Sequence, residues 1–425
     1  MQVATETAQA YAERMDREDP LRGFRERFLF PKHDGKDVLY FTGNSLGLQP
    51  KAAATYVKEE LDDWATFGVE GHFKAKRPWY PYHEFFSESL GRLVGAKPTE
   101  VVAMNGLTVN VHLMLVSFYR PEGKRTKILC ETRPFPSDTY AMASQIEWHG
   151  LDPKRELVEM QPRAGEHTLR TEDIEKKIAE LGDTLALVHF GGVNFLTGQA
   201  FDMERIAKAA HAVGAYAGFD LAHAAGNLHM RLHDRDADFA TWCGYKYLNS
   251  GPGAVAGAFV HEKHHNEKLP RLAGWWGHDK VERFKMEAQF KPMHSAEAWQ
   301  ISNAPVFSMA VHRASLDIFD EAGMDRLRAK SIALTAFLES TIHAVARETG
   351  KRLEVITPAD PEQRGCQLSI ISHDMGKGLF DALTARGVVA DWREPDVMRV
   401  APVPLYNSFG DVWRFGTILR ACITA

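Results

Sequence analysis

Residues 186–223 read ALVHFGGVNFLTGQAFDMERIAKAAHAVGAYAGFDLAH, two apolar runs with a helical pattern between them. The runs at 186–190 and 215–219 have the length of buried strands. Asp202 can cap the intervening helix, and Gly214 can close it. A strand, a helix and a strand joined so briefly are most easily parallel, with a right-handed crossover. The stretch therefore predicts an α/β fold built on a parallel sheet.

The alternation of strands and helices continues on both sides of this stretch. Strand-like runs occur at 101–104, 128–131, 238–244 and 254–260. After about residue 310 the pattern changes to a long amphipathic helix, a polar region and a final set of strands, which we interpret as a second lobe. The predicted organisation is an N-terminal segment at 1–75 that contributes to a small domain, a large domain at 76–310, and the rest of the small domain at 311–425.

Composition favours an enzyme for small molecules over a protein that binds nucleic acid or membranes. The 425 residues include 51 basic and 56 acidic side chains, so the charges nearly balance. No apolar run reaches the length of a membrane helix, and the N-terminus lacks the features of an export signal. The four cysteines are scattered and form no disulfide or zinc pattern, which predicts a reducing, cytoplasmic setting and no metal.

Two residues suggest the chemistry when they are considered together. Asp220 lies at the carboxyl end of its predicted strand, where open α/β sheets place ligands. Such an acid can hold a protonated pyridine nitrogen, while Lys246 on a following loop can form a Schiff base with an aldehyde. Together they predict a pyridoxal phosphate site. The alternative for each residue alone is an ordinary helix cap and a surface lysine.

Two upstream segments supply further parts of such a site. The turn at 105–108 precedes a predicted helix at 109–118, and a phosphate at this helix start would meet free N–H groups and the Thr108 hydroxyl. Phe135 follows the strand-like run at 128–131, so its ring could stack on a pyridine ring near a strand end. Taken singly, the turn is an ordinary cap and the phenylalanine a core residue.

From about residue 25 to its C-terminus, the chain resembles the kynureninases, hydrolases of the aminotransferase class V group of fold-type I pyridoxal phosphate enzymes. The resemblance rests on several motifs in order, which are 43–47 (GNSLG), 135–138 (FPSD), 218–223 (GFDLAH), 245–249 (YKYLN), 274–275 (GW), 301–303 (ISN) and 399–407 (RVAPVPLYN). It implies a large domain with a mostly parallel seven-stranded sheet flanked by helices, a smaller α/β domain, and a homodimer with its active sites at the subunit interface.

The resemblance also implies roles for individual residues. Lys246 would carry the cofactor, Asp220 would pair with the pyridine nitrogen, and Phe135 would stack on the ring. Further cofactor contacts are expected from Leu107, Thr108, Ser137, Asp138, His223, Tyr245, Trp275 and Asn303, of which Trp275 and Asn303 would come from the neighbouring subunit. Gly191 stands where the family has a further serine on the phosphate side, so one hydrogen bond is expected to be missing or supplied by water.

Substrate contacts are implied in the same way. Arg399 would bind the α-carboxylate of the substrate through its planar fork. His72 and Ser45, with Asn303, would face its aromatic end. The implied reaction is hydrolysis of the Cβ–Cγ bond of L-kynurenine or 3-hydroxy-L-kynurenine to L-alanine and anthranilate or 3-hydroxyanthranilate, in tryptophan breakdown or pyridine nucleotide synthesis. Lys246 would move the α-proton, and Tyr245 is a candidate proton donor at Cβ.

The sequence also contains features of three other classes of protein. The segment 261–265 (HEKHH) satisfies the HExxH zinc pattern, but it leaves a strand and reaches Pro270 too soon for a two-turn metal helix. Cys366 could be the mobile nucleophile of a cysteine desulfurase or selenocysteine lyase, although its surroundings predict a buried residue before an alternating strand. A scaffold without catalytic activity is disfavoured by the joint presence of Lys246, Asp220 and Arg399.

Overall fold

A computed structural model describes residues 6–425. The N-terminal part contains three α-helices and five two-residue strands. They are α1 (Ala8–Glu18), β1 (Phe28–Leu29), β2 (Lys32–His33), β3 (Lys36–Asp37), β4 (Leu39–Tyr40), β5 (Gln49–Pro50), α2 (Ala53–Phe67) and α3 (Gly71–Lys74). Buried side chains from this part enter two different cores. Phe24, Phe28 and Leu48 join the larger core, whereas Leu39 and Phe41 join the smaller one.

The middle of the chain forms one seven-stranded sheet with helices between its strands. Its elements are α4 (Ser87–Val94), β6 (Val101–Met104), α5 (Leu107–Phe118), β7 (Lys127–Cys130), α6 (Pro136–Trp148), α7 (Pro153–Glu156), β8 (Leu157–Glu159), α8 (Thr171–Leu181), β9 (Leu185–Gly191), α9 (Met203–Ala212), β10 (Tyr216–Asp220), β11 (Phe239–Trp242) and β12 (Ala256–Val260). The order is β6-β12-β11-β10-β9-β7-β8, and β12 alone runs antiparallel to its neighbours. The mostly parallel sheet is confirmed.

The β9–α9–β10 unit forms as the sequence predicts, with its bounds shifted by about one residue. The Asp202 side chain accepts a hydrogen bond from the Arg205 N–H at 3.1 Å, and Gly214 ends the helix with φ +76°. The strands are parallel and pair Gly218 with His189. A Cβ at Gly218 would lie 2.0 Å from the Phe239 ring, so only glycine allows β11 to pack here.

The C-terminal part adds two long helices and a second sheet. Its elements are α10 (Val306–Ala322), α11 (Met324–Thr349), β13 (Leu353–Val355), β14 (Leu368–Ser372), α12 (Gly376–Thr384), β15 (Val388–Val389), β16 (Asp391–Arg393), β17 (Val397–Val400) and α13 (Phe409–Thr424). The antiparallel sheet has the order β13-β14-β17-β16, and β15 pairs with β4. Within residues 6–425, no helix is both long enough and apolar enough to cross a membrane.

The side chains of α10 pack with the larger core. Met309, Leu316 and Phe319 belong to that core, although the expected boundary at residue 311 falls inside this helix. The smaller core instead gathers buried side chains of α11, α13 and the second sheet, among them Leu338 and Phe415. The domain limits drawn from the sequence stay a prediction.

β14 differs from its sequence pattern, because all five of its residues are buried instead of every second one. One face meets the smaller core through Leu368 and Ile370. The other face is covered by a loop of the large lobe, where the Ser369 hydroxyl donates to the Leu196 carbonyl at 2.6 Å. The polar residues that alternate with apolar ones along β14 therefore face the loop of the large lobe and not solvent.

Candidate active site

The carboxyl ends of five strands lie at one edge of the large sheet. The parallel strands β7, β9, β10 and β11 share a direction, and β6 joins them because β12 is antiparallel to both β11 and β6. The loops that follow these strands enclose a cavity of about 260 Å³. Its walls are formed by Gly106, Leu107, Thr108, Val109, Glu131, Phe135, Ser137, Asp138, Gly191, Val193, Asp220, Ala222, His223, Tyr245 and Lys246.

The Lys246 amine is buried in this cavity and contacts His223. The Lys246 Nζ lies 3.0 Å from the His223 Nε2 and 5.6 Å from the centre of the Phe135 ring. Burial, and then the positive charge of Lys246, hold the pKa of His223 well below its usual value. The neutral imidazole therefore accepts a lysine proton at Nε2, which assigns its own proton to Nδ1. Among the described residues, this Nδ1 has no hydrogen-bond partner.

The turn that carries Lys246 is fixed by close backbone contacts. The Gly47 N–H donates to the Tyr245 carbonyl at 2.8 Å, and a Cβ at Gly47 would lie 2.4 Å from the Lys246 carbonyl oxygen. The Asn249 N–H, three residues later in the chain, donates a hydrogen bond to the same Lys246 oxygen at 3.0 Å. The lysine backbone is thus held from both sides, and only its side chain is free to reach into the cavity.

Three buried carboxyl groups face the same cavity. Asp220 accepts a hydrogen bond from the Ala222 N–H at 2.7 Å, and it shares another with Asp138. Burial raises the pKa of both acids, and the charge of Asp220 raises that of Asp138 further. The pKa of Asp138 is thus raised more strongly than that of Asp220, which favours Asp220 as the charged member of the pair. A protonated pyridine nitrogen is a cation that suits this buried carboxylate.

The third acid, Glu131, was not among the residues selected from the sequence. It is fully buried, and burial raises its pKa to about 7. Its Oε2 accepts the Gly191 N–H at 3.0 Å, and a Cβ at Gly191 would lie 2.8 Å from its Oε1. The carboxyl group thus lies where a side chain at position 191 would begin. Glu131 directly follows β7, so the rule that selected Asp220 at a strand end could also have found it.

The start of α5 supplies hydrogen-bond donors on another wall. Asn105 turns the chain with φ +50°, a conformation that asparagine tolerates, and its amide donates to the Asn110 side chain at 2.9 Å. The free N–H groups of the first helical turn then open onto the cavity. The Thr108 and Ser137 hydroxyls are hydrogen-bonded at 2.7 Å. These donors suit a phosphate group, and the half-exposed Phe135 ring lies beside them.

Arg399 lies behind the cavity and does not line it. The side chain is 1% exposed and binds Asp391 and the Phe195 carbonyl. The Phe195 ring meets the Phe135 ring edge-on, with 5.3 Å between their centres. Arg399 is therefore connected to the Phe135 wall of the cavity through Phe195, and it carries an acid partner that nothing in the sequence pattern indicates.

Four further expected site residues, besides Arg399, lie away from this cavity in the chain. Ser45 lies two residues before Gly47, in the segment that contacts the Lys246 turn. His72, Trp275 and Asn303 line a different pocket of about 450 Å³ with several apolar side chains. The remaining residues that line this pocket are Val69, Phe73, Tyr80, Trp276, Phe284, Ile301 and Ser302. The structure therefore groups these three residues with each other and separates them from Lys246 within one chain.

The zinc-like segment does not form the helix that its pattern requires. His261 caps a single 3₁₀ turn at Glu262–His264, with its Nδ1 accepting the Lys263 N–H at 3.2 Å. His265 instead contacts the Val260 carbonyl at 3.0 Å. The two histidines of the pattern are thus held by separate protein groups and do not form one ligand face.

Cys366 is fully buried, and burial raises the pKa of its thiol to about 12. Its N–H donates to the Asn227 side chain at 3.0 Å. A Cβ at the preceding Gly365 would lie 2.1 Å from the Asn227 amide nitrogen, so the segment is tightly packed. A protonated, immobile thiol cannot serve as the mobile nucleophile of a desulfurase.

Comparisons with known proteins agree with this geometry. Residues 327–419 match the family described as the kynureninase C-terminal domain. A protein of Flavobacterium psychrophilum named kynureninase is 55% identical over 411 residues, which cover 96% of this chain and 97% of the relative. A second one, from Myxococcus xanthus, is 55% identical and covers 96% of both chains.

Solved structures at lower identity share the fold. The cysteine desulfurase CsdA of Escherichia coli superposes with a TM-score of 0.76 at 16% identity, over 95% of this chain and 98% of its own. A mutant of the lyase C-DES, with glycine covalently linked to its pyridoxal phosphate, gives 0.75 at 15% identity over 90% and 96%. At these identities the similarity shows the fold alone.

Replacing Glu131 by glutamine keeps an oxygen for the Gly191 N–H and removes the buried titration. Because the pKa of Glu131 is raised from 4.5 to about 7, the folded protein binds more protons than the unfolded chain between these values. The wild type should therefore lose stability relative to E131Q as pH rises from about 4.5 to 7. The melting temperatures of the two proteins, measured across this range, test the expectation. A constant difference, or the same trend in the exposed control E147Q, would contradict it.

Proposed function

The chain belongs to the kynureninase family, and we propose that the cavity around Lys246 is where it hydrolyses the Cβ–Cγ bond of its substrate. The substrate is L-kynurenine or 3-hydroxy-L-kynurenine, and the products are L-alanine and anthranilate or 3-hydroxyanthranilate. The cofactor is pyridoxal phosphate. The observation that carries the assignment is the buried Lys246 amine, which faces a neutral histidine and a pair of acids that share one proton.

The residues around the cavity fit each part of the cofactor. When bound, pyridoxal phosphate supplies an aldehyde carbon for the Lys246 amine and a ring that withdraws electrons from the α-carbon of the amino acid. Asp220 would hold the pyridine nitrogen, with Asp138 keeping the shared proton on its own carboxyl. Thr108, Ser137 and the first N–H groups of α5 would hold the phosphate. Phe135 would cover one face of the ring.

Lys246 is the proposed base for the α-proton of the substrate. Its Nζ can carry a proton over a short distance, because the backbone of its turn is fixed and its side chain alone moves. His223 accepts one amine proton through Nε2, so once the amine has given up another proton its lone pair is directed away from the imidazole. This contact also keeps a second positive charge away from the lysine, since the imidazole is neutral.

Tyr245 is the proposed proton donor at Cβ. Its hydroxyl keeps its proton at neutral pH, because burial raises its pKa above the usual value. The residue lines the cavity next to Lys246 in the chain. A phenol in this place can return a proton to Cβ once water has added to the γ-carbonyl and the Cβ–Cγ bond breaks. Its alternative role is that of a phosphate ligand.

Arg399 is the proposed partner of the substrate α-carboxylate. A guanidinium group can hold a carboxylate through two parallel charge-assisted hydrogen bonds, which would orient the α-carbon. The position fits, because Phe195 connects Arg399 to the Phe135 wall of the cavity. Binding here would place the amino group of the substrate toward Lys246 and its aromatic end toward the opening.

A second copy of the chain is proposed to complete the site. The pocket with His72, Trp275 and Asn303 is apolar and open, with Phe73 65% and Phe284 55% exposed. Exposed aromatic clusters of this kind are typical of interaction surfaces. In a homodimer this pocket would lie over the partner's Lys246 cavity and receive the aromatic end of the substrate. Polar groups of His72 and Asn303 there favour tolerance of the 3-hydroxyl.

Cellular role and domain organisation are proposed from the same family membership. The reaction serves either tryptophan breakdown or pyridine nucleotide synthesis, and a cytoplasmic location agrees with the four cysteines, all unpaired and buried. We keep the division into a large domain and a small domain, with the second sheet and α13 in the small one. The ratio of kcat/KM for the two substrates decides which is preferred.

Replacing Lys246 by alanine removes both the attachment point and the proposed base. Turnover of L-kynurenine should fall by about a thousandfold or more, while the protein stays folded because, within residues 6–425, the lysine side chain makes one hydrogen bond, to His223. The measurement is kcat, with melting temperature as the check on folding. Lys208→Ala, an exposed lysine on α9, serves as the matched control. Ordinary activity in K246A would contradict the assignment of the active site.

Replacing Tyr245 by phenylalanine separates its two proposed roles. If the hydroxyl donates a proton, kcat should fall by about a hundredfold while the protein retains its cofactor, because only the chemical step loses a group. Cofactor content is measured by absorbance after gel filtration. A fall in cofactor content that accounts for the whole loss of activity would assign the hydroxyl to phosphate binding instead.

Mixed dimers test the contribution of the second copy. K246A and W275A chains should each be nearly inactive alone, yet a mixed dimer would contain one intact site. Random mixing of equal amounts should restore about a quarter of the wild-type activity, because half of the dimers are mixed and half of their sites are intact. Activity is measured after unfolding and refolding the two chains together. No gain over the separate proteins would place both residues in the same chain's site.

A further inference from the structure

Asp391 and Arg399 form a buried ion pair across two neighbouring strands. They are direct partners in the antiparallel pairing of β16 with β17, so their side chains point to the same face. The Arg399 Nε donates to the Asp391 Oδ1 at 3.1 Å, and Nη2 lies 2.8 Å from Oδ2. The acid therefore occupies the Nε side of the guanidinium group.

This arrangement leaves hydrogen-bond donors at the outer edge of the buried Arg399 side chain without acceptors among the described residues. Arginine has five N–H donors, and the hydrogen bonds to Asp391 and the Phe195 carbonyl use one on Nε and one on Nη1. The Nη2 atom makes an ion-pair contact with Asp391 at 2.8 Å and no hydrogen bond within residues 6–425. The remaining donors are on the two terminal nitrogens, which together match the two oxygens of a carboxylate.

A second guanidinium group shares the same acid. The Arg393 Nη2 donates to the Asp391 Oδ2 at 3.1 Å, and its Nε lies 3.1 Å from Oδ1. One carboxylate thus lies between two guanidinium groups, and the cluster keeps one unbalanced positive charge. Burial disfavours this charge, as the lowered pKa of Arg399 shows. An anion at the open edge of Arg399 would balance it.

The open edge lies near the reacting groups. The positive charges of Arg399 and Arg393 contribute to the low pKa of His223, whose Nε2 contacts the Lys246 amine. The Phe195 loop joins the two sites, since its carbonyl holds Arg399 and its ring packs against Phe135. An α-carboxylate at Arg399 and an amino group at Lys246 could therefore belong to one amino acid.

From these contacts we infer that Asp391 is the positioning residue for substrate recognition. It holds the Nε side of Arg399 so that the terminal nitrogens receive the α-carboxylate, and this role rests on the proposed function of Arg399. Asp391 does not touch the substrate. Its contribution is orientation, because a guanidinium held on one side loses less rotational freedom when a carboxylate binds to the other.

The test uses Asp391→Asn, which keeps the size of the side chain and one acceptor oxygen. Its amide would point a donor at Nη2, so Arg399 should turn away from the position that receives the carboxylate. We expect KM for L-kynurenine to rise about tenfold or more, with kcat changing much less. The matching amine without the α-carboxylate, used as a competitive inhibitor, should keep its inhibition constant within about twofold.

The amine inhibitor separates positioning from general stability. A structural defect would weaken binding of the amino acid and of the amine alike, which would overturn the inference. Glu394→Gln is the matched control, because it removes an acid from the same hairpin whose side chain is 74% exposed and forms an ion pair with Lys377 at 4.0 Å. Its KM should equal that of the wild type.

Arg399→Lys distinguishes failure of this inference from failure of the proposed function. An unchanged KM in R399K would show that Arg399 does not bind the substrate α-carboxylate. A raised KM in R399K, together with an unchanged KM in D391N, would keep that role and overturn the positioning by Asp391. In the R399K background, D391N should add less than about a twofold effect, because the two residues act as one unit.

If D391N does not fold, a variant that keeps the negative charge tests the positioning role of Asp391. Asp391→Glu keeps the buried ion pair but moves the carboxylate outward by one methylene, so Arg399 must shift with it. KM for L-kynurenine should rise in D391E, and the inhibition constant of the amine should stay constant. Wild-type KM in a folded D391E protein would overturn the inference.

Discussion

The Lys246 amine and the buried acids around it constrain the rest of the structure. A lysine in a closed cavity is useful for imine chemistry only if its neighbours neither hold its proton permanently nor leave it mobile. Here the contact at 3.0 Å is made by a neutral histidine, and Asp138 and Asp220 share one proton. In the proposed function, the site therefore offers one carboxylate to the cofactor and one orientable nitrogen to the substrate.

The fold meets this requirement through backbone contacts that side chains would prevent. At Gly47 a Cβ would lie 2.4 Å from the Lys246 carbonyl, and at Gly218 it would lie 2.0 Å from the Phe239 ring. The first glycine lets the N-terminal segment support the lysine turn. The second lets β11 pack beside β10, which puts Lys246 next to Asp220. Local glycines thus determine the distance between two residues that are far apart in the chain.

In the proposed function, recognition of the substrate is divided among separate parts of the molecule. The large sheet provides the cofactor cavity, and the second sheet provides Arg399 with its cross-strand partner Asp391. The pocket with His72 and Trp275 is a third part and lies apart from the cavity in one chain. Such a division allows different elements to bind the amino-acid end and the aromatic end of the substrate.

The sequence by itself determined the α/β class, the parallel β9–α9–β10 unit, the cofactor and the residues at the strand ends, because these depend on periodicity and on short motifs. Asp220, Thr108 and Phe135 were found in this way. Tertiary structure alone revealed that β14 is buried on both faces, that Glu131 fills the space beside Gly191, and that Asp391 holds Arg399. Each of these depends on strand register or on contact between lobes. Such contacts join residues whose separation in the chain carries no periodic signal, so no local pattern could indicate them.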